Sequence, residues 1–136
     1  MNLLGRLFGG PAATVDDAAF GRSEFANGAW THVPKDGAGF MTVVIAPFTG
    51  PVEGQRAFFK KLCASLEEIV ANAKSYMQGI EGNVDVSSLS LYSIEIGPEE
   101  EMTREVFTIE LTDTAQSPIH RVEFRDGKPS SYGRDD

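Results

Sequence analysis

The chain has 136 residues, 41% hydrophobic and 24% charged, and carries a formal net charge of -8. That length fits one domain with a core that needs no metal or disulfide staple, and the apolar content excludes global disorder. Twenty acids against twelve bases speak against a nucleic-acid binder, and the single cysteine, Cys63, excludes an internal disulfide and fits a reducing, cytoplasmic compartment.

The first ten residues place Leu3, Leu4, Leu7 and Phe8 on one face of a short helix, interrupted by Gly5 and Arg6. They have neither the basic start nor the long apolar core of a secretory signal. With Arg6 as its only cation, such a helix docks on protein in preference to a membrane, so membrane contact through residues 1–10 is not expected. Residues 1–19 read as an apolar segment and linker, and 20–134 as one domain. No stretch approaches the ~18 apolar residues of a membrane span.

Strands are expected at about 20–26 and 29–34, joined at Asn27-Gly28, a pair that tolerates the positive φ of a type I′ turn. A second turn at Lys35 to Gly39 leads into Phe40 to Phe48. Both parities of that run are mostly apolar, which suits a central strand.

A helix is predicted from about Pro51 to Gln78, with Gly50 as N-cap, Pro51 at the first helical position and Glu53 in the first turn. Phe58, Phe59, Leu62, Leu66, Ile69, Val70, Ala73, Tyr76 and Met77 keep the spacing of one buried face. Gly79 is the expected left-handed terminator. Further strands follow at about 91–96, 105–112, 119–125 and 128–132, the last two joined at Asp126-Gly127. A helical turn is expected after Asp85, and the tail beyond Tyr132 is expected to fray.

The order β-β-β-α-β-β-β-β is that of an α+β domain, with a mainly antiparallel sheet of six or seven strands and one long helix on one face. Strands lie about 4.8 Å apart and a helix is only ~10 Å across, so one helix cannot cover seven strands. The sheet must curl, be covered by the N-terminal segment, or be covered by a second copy. The last option, a homodimer, is the favoured one.

Catalytic chemistry finds little support. His32, His120 and Cys63 have no metal-ligand spacing, no G-x-S-x-G elbow is present, and Gly37-x-Gly39 lacks the third glycine of a dinucleotide loop. Cys63 borders the apolar helix stripe and reads as an inert core thiol; the histidines read as hydrogen-bonded core-edge residues. No cofactor or metal is expected, and the balance leans away from an enzyme.

The distinctive feature is electrostatic. Residues 81–113 hold Glu81, Asp85, Glu95, Glu99, Glu100, Glu101, Glu105, Glu110 and Asp113 against Arg104 alone. The other 103 residues contain eleven acids and eleven bases, so the whole imbalance lies in one predicted hairpin and its approach. Glu99 to Glu101 fall near its tip, with Glu95 and Glu105 projecting beside them. The plain interpretation is a solvated loop; the sharper one is a patch for a basic partner.

Val122 to Pro129, preceded by His120, together with Phe20-Gly21, Gly28-Ala29-Trp30 and the three-strands-then-helix order, resembles certain small bacterial domains of unknown function. Some of these look like immunity proteins that neutralise a toxin encoded beside them. The resemblance covers about 20–134 and rests on turn chemistry. It implies a bacterial cytosolic protein with a binding role and supplies no catalytic residues.

Three functional expectations follow. One is a protein-binding module, in the immunity-type form an inhibitor, presenting Glu95, Glu99, Glu100, Glu101 and Glu105 to a basic partner. Another is a small-molecule-binding or enzymatic domain with a cleft between helix and sheet, using His32, Cys63 or His120. The third is a self-associating structural domain.

Overall fold

The computed structural model describes residues 13–34, 39–113 and 118–135. The predicted N-terminal helical face at Leu3 to Phe8, most of the Lys35–Gly39 turn and most of the 112–118 loop lie outside these residues.

Eight strands form one sheet in strict chain order: β1 (Thr14–Asp17), β2 (Gly21–Ala26), β3 (Ala29–His32), β4 (Met41–Ile45), β5 (Ser90–Ile96), β6 (Phe107–Thr112), β7 (Ile119–Arg125) and β8 (Lys128–Asp135). Every pair is antiparallel except β4–β5, which is parallel, with Met41 opposite Ser93 and Val44 opposite Ile96. Parallel neighbours need a long crossover, and here it is helical: α1 (Glu53–Ala64) and α2 (Leu66–Ile80). The fold is α+β and mostly antiparallel, as expected.

Both two-residue turns take the expected form. Asn27 and Gly28 have φ of 53° and 76°, and Asp126 and Gly127 have 53° and 79°, the double positive φ that a type I′ turn requires. The strand count is eight because Thr14–Asp17, read as linker, pairs with β2. Its polar ends hide it: only Val15 offers the sheet a large apolar side chain. At the other end β8 continues through Arg134 to Asp135, so the tail is paired and not frayed.

The single predicted helix is two. The chain breaks at Ser65 (φ -124°, ψ 25°), whose N–H bonds to Leu62 O, while the apolar periodicity runs on across the break. Periodicity therefore carries no sign of it. The break answers the coverage problem raised by the sequence. Helix α1 serves the β1–β2 end, through Phe59 against Phe20 (ring centroids 4.8 Å) and Arg56 against Asp17. Helix α2 reaches towards β8, where Arg134 meets Glu81 at 2.9 Å.

The helix ends also differ from expectation. Val52 is the N-cap, and with no acceptor side chain it receives help from Gln55, whose Oε1 takes the Val52 N–H at 3.0 Å. Gly50, with φ of 109°, belongs to the preceding turn. Gly79 stays inside α2, which ends at Glu81 with φ of -118°.

The core lies between the helices and one sheet face. Trp30, Val44, Ile96, Phe107 and Phe124 form one row across the strands, and Thr42, Ile94, Ile109 and Val122 the next. Phe58 packs edge-on against Phe107, which stacks on Phe124 at 4.6 Å. Gln55, fully buried, donates from Nε2 to Ile45 O (2.8 Å) and Gly97 O (2.9 Å), tying α1 to the ends of β4 and β5.

Candidate functional site

Because side chains alternate along a strand, the register assigns the opposite sheet face directly. One row reads Glu24, Thr31, Val43, Glu95, Thr108, Glu123 and Ser131 from β2 to β8. The neighbouring row across β4 to β8 reads Met41, Ser93, Glu110, Arg121 and Gly133. Short side chains form the floor: Ser93 and Thr108 are 2% and 8% exposed on this face, beneath longer neighbours.

Glu110 is fully engaged. It accepts from Ser93 Oγ at 2.6 Å and from Arg121 at 3.1 Å. Glu123 Oε1 takes Arg125 Nε at 2.7 Å, and the same guanidinium lies 3.8 Å from Glu101. Glu95, half-buried, makes no hydrogen bond or ion pair among the described residues. Burial pushes its carboxyl above the usual range; Arg121 opposes this, and Glu110 and Glu123 add to it.

The five acids singled out from the sequence therefore have different fates. Glu99, Glu100 and Glu101 stand on a 3-10 helix, Glu99–Arg104, in the β5–β6 connection and not on a tight hairpin tip. Glu99 and Glu100 are exposed and free of ion pairs among the described residues. Glu105 adopts a left-handed conformation (φ 50°) and is held by Lys61 at 2.6 Å. Glu95 is the penultimate residue of β5, on the sheet face opposite the buried apolar row, with Thr108 of β6 as its strand partner. Cations from outside the acidic segment, Lys61, Arg121, Arg125 and Arg134, neutralise Glu105, Glu110, Glu101 and Glu81. A linear charge count misses such long-range pairing. The Glu95–Thr108–Glu123 row was missed too, although the alternation Glu95, Glu110 and Glu123 on successive strands carries its signal.

The second set of candidates does not assemble. His32 sits on β3 with Nδ1 2.8 Å from Arg22 O, and its ring lies under Gly21, where a Cβ would come within 3.0 Å. His120 is buried on β7, with Nδ1 2.7 Å from the Tyr132 hydroxyl and the two rings stacked. Four strand spacings, about 19 Å, separate those strands. Cys63 is on α1 and is exposed, which corrects its placement at the edge of the buried stripe. Partial burial nonetheless raises its thiol pKa. It should therefore label slowly at pH 7 and faster as pH rises through 9, the behaviour of an unactivated thiol. Rapid labelling by a disulfide reagent at pH 7 would contradict this placement.

A groove of about 710 Å³ does separate α2 from the starts of β4 and β5, lined by Phe40, Leu66, Val70 and Leu91 with Glu67 and Lys74 on the helix. His32, Cys63 and His120 do not line it. Among the described residues no group of three or more His, Cys, Asp or Glu could hold a metal ion, and no helix is long and apolar enough to cross a membrane. Comparison of the chain with protein-family models, curated proteins and solved structures finds no match.

Proposed function

We propose that this chain is a non-catalytic binding domain that engages a basic protein partner through the sheet face opposite the helices and the acidic turn at its rim. An immunity-type inhibitor is one form of this reading. The observation that carries it is that Glu95, Glu99 and Glu100 have no ionic partner among the described residues, whereas Glu81, Glu101, Glu105 and Glu110 of the same segment are paired. Arg125, hydrogen-bonded to Glu123 and 3.8 Å from Glu101, makes turn and face contiguous. Uncompensated surface charge of one sign steers an oppositely charged partner and speeds encounter.

The test is capture from native cells with the tagged full chain, in parallel with a Glu99→Lys, Glu100→Lys double variant. A stoichiometric basic protein should be retained at low salt, released by raised salt, and lost by the variant. A partner retained equally by both chains, or no salt-sensitive partner at all, would overturn the reading. The alternative, a small-molecule domain, has the α2 groove in its favour, but none of His32, Cys63 and His120 lines that groove.

A further inference from the structure

We propose that Glu95, Thr108 and Glu123 form a seat for a primary ammonium, the head of a lysine side chain offered by the basic partner. The proposal rests on the reading above and names the chemistry of the contact. The three residues are direct neighbours in register on β5, β6 and β7. Strand spacing puts the two carboxylates on either side of the Thr108 hydroxyl, about 10 Å apart at the backbone, within reach of a common point above it.

One observation besides the acidic charge points to a missing ligand. Thr108 is 8% exposed and lines a cleft of about 230 Å³ shared with Arg121, Glu123, Ser131, Tyr132 and Gly133. Among the described residues its hydroxyl makes no hydrogen bond, and no fully buried side-chain N or O is left unbonded, so the Thr108 Oγ1 keeps solvent access in a residue that lines that cleft. Glu95, which does not itself line the cleft, is the strand partner of Thr108, partly desolvated and unpaired among the described residues. A half-buried carboxylate is costly until a cation meets it.

The available acceptors select the ligand. Glu95 offers its carboxylate, Thr108 its hydroxyl, and Glu123 its Oε2, since Oε1 is taken by Arg125. An ammonium has three donors and no acceptor, on a compact head that suits three convergent acceptors. A guanidinium prefers a planar, two-oxygen fork on one carboxylate. Glu110, the carboxylate best placed for that, already holds Arg121 and Ser93.

The test uses the full chain, labelled with nitrogen-15 and titrated with n-butylammonium, with N-butylguanidinium as the comparison. Butylammonium should give saturable shifts at the amides of residues 94–96, 107–109 and 122–124. Glu95→Gln and Thr108→Val, each keeping the dispersion of the folded spectrum, should weaken it by about tenfold, the size of one charge-assisted hydrogen bond. Arg121→Gln, which removes the competing cation, should tighten it. Absent shifts, shifts unchanged in both variants, or equal binding of butylguanidinium would overturn the seat. The two proposals fail separately. A captured basic partner whose affinity ignores Glu95→Gln and Thr108→Val leaves the reading standing and removes the seat. Butylammonium binding with no basic partner does the reverse.

Discussion

Gln55→Leu is expected to destabilise the fold by about 3 kcal/mol, lowering the melting temperature by about 10 °C. Gln55 is fully buried and makes three hydrogen bonds: one to the N-cap amide of α1 and two to carbonyls at the ends of β4 and β5. Leucine fills nearly the same volume, so the loss reports the polar contacts and not a cavity. The Ile45 and Gly97 carbonyls lose that donor, and the Val52 amide loses its acceptor. Gln55→Glu should be worse at neutral pH, because a carboxylate would face two carbonyl oxygens. Its folded-state pKa would be raised, so its stability should recover as pH falls and be lost again as pH rises through that value. Urea unfolding of the three chains at pH 5 and pH 7.5 reads both effects. A leucine variant within 1 kcal/mol of the parent would show that water or backbone shifts satisfy the site.

Asp17→Ala should cost a similar amount, about 3 kcal/mol, through a different interaction. The Asp17 side chain is 2% exposed and accepts from the Ala19 and Phe20 amides and from Arg56 Nε at 2.7 Å. Burial pushes this carboxyl up, but the Arg56 hydrogen bond, the two amides and the guanidinium charge together outweigh it, and its pKa is lowered. A lowered folded-state pKa means stability that is present above the unfolded value near 3.8 and lost as pH falls through the folded one. The parent should therefore lose stability steeply below about pH 4, and the alanine variant should lose correspondingly less over the same interval. Arg56→Ala should be at least as damaging as Asp17→Ala, because it leaves a buried carboxylate without its cation. Parallel acid-unfolding curves for parent and Asp17→Ala would contradict the assignment.

Particular elements explain how much was legible in the sequence. The turns at Asn27-Gly28 and Asp126-Gly127 were readable because only a few residue types tolerate two successive positive φ values. The helical stripe was readable because its apolar positions are the ones buried: Phe58, Phe59, Leu62, Ala73 and Met77. The Ser65 break was not, since it leaves the apolar spacing intact, and β1 was not, since four residues with two aspartates give no alternation to read. The charge segment was legible as a sum but not as a surface. Lys61 lies 44 residues from Glu105 and Arg134 lies 53 from Glu81, so only the fold could bring those pairs together. The chain position of Glu95 shows its proximity to the acidic turn; only the register also sets it beside Thr108, a hydroxyl no motif would single out.

The strict order of the strands has a kinetic consequence. Six of the seven pairings join consecutive strands across short connections, so each closes a small loop at little entropic cost. Only β4–β5 must bring together residues about fifty apart, such as Met41 and Ser93. The chain is thus wired as two local meanders that can zip up early, followed by one slow long-range closure. Gln55 bonds both lips of that seam, at Ile45 and Gly97. Its contacts close with that slow step, so weakening them should slow folding as well as quicken unfolding.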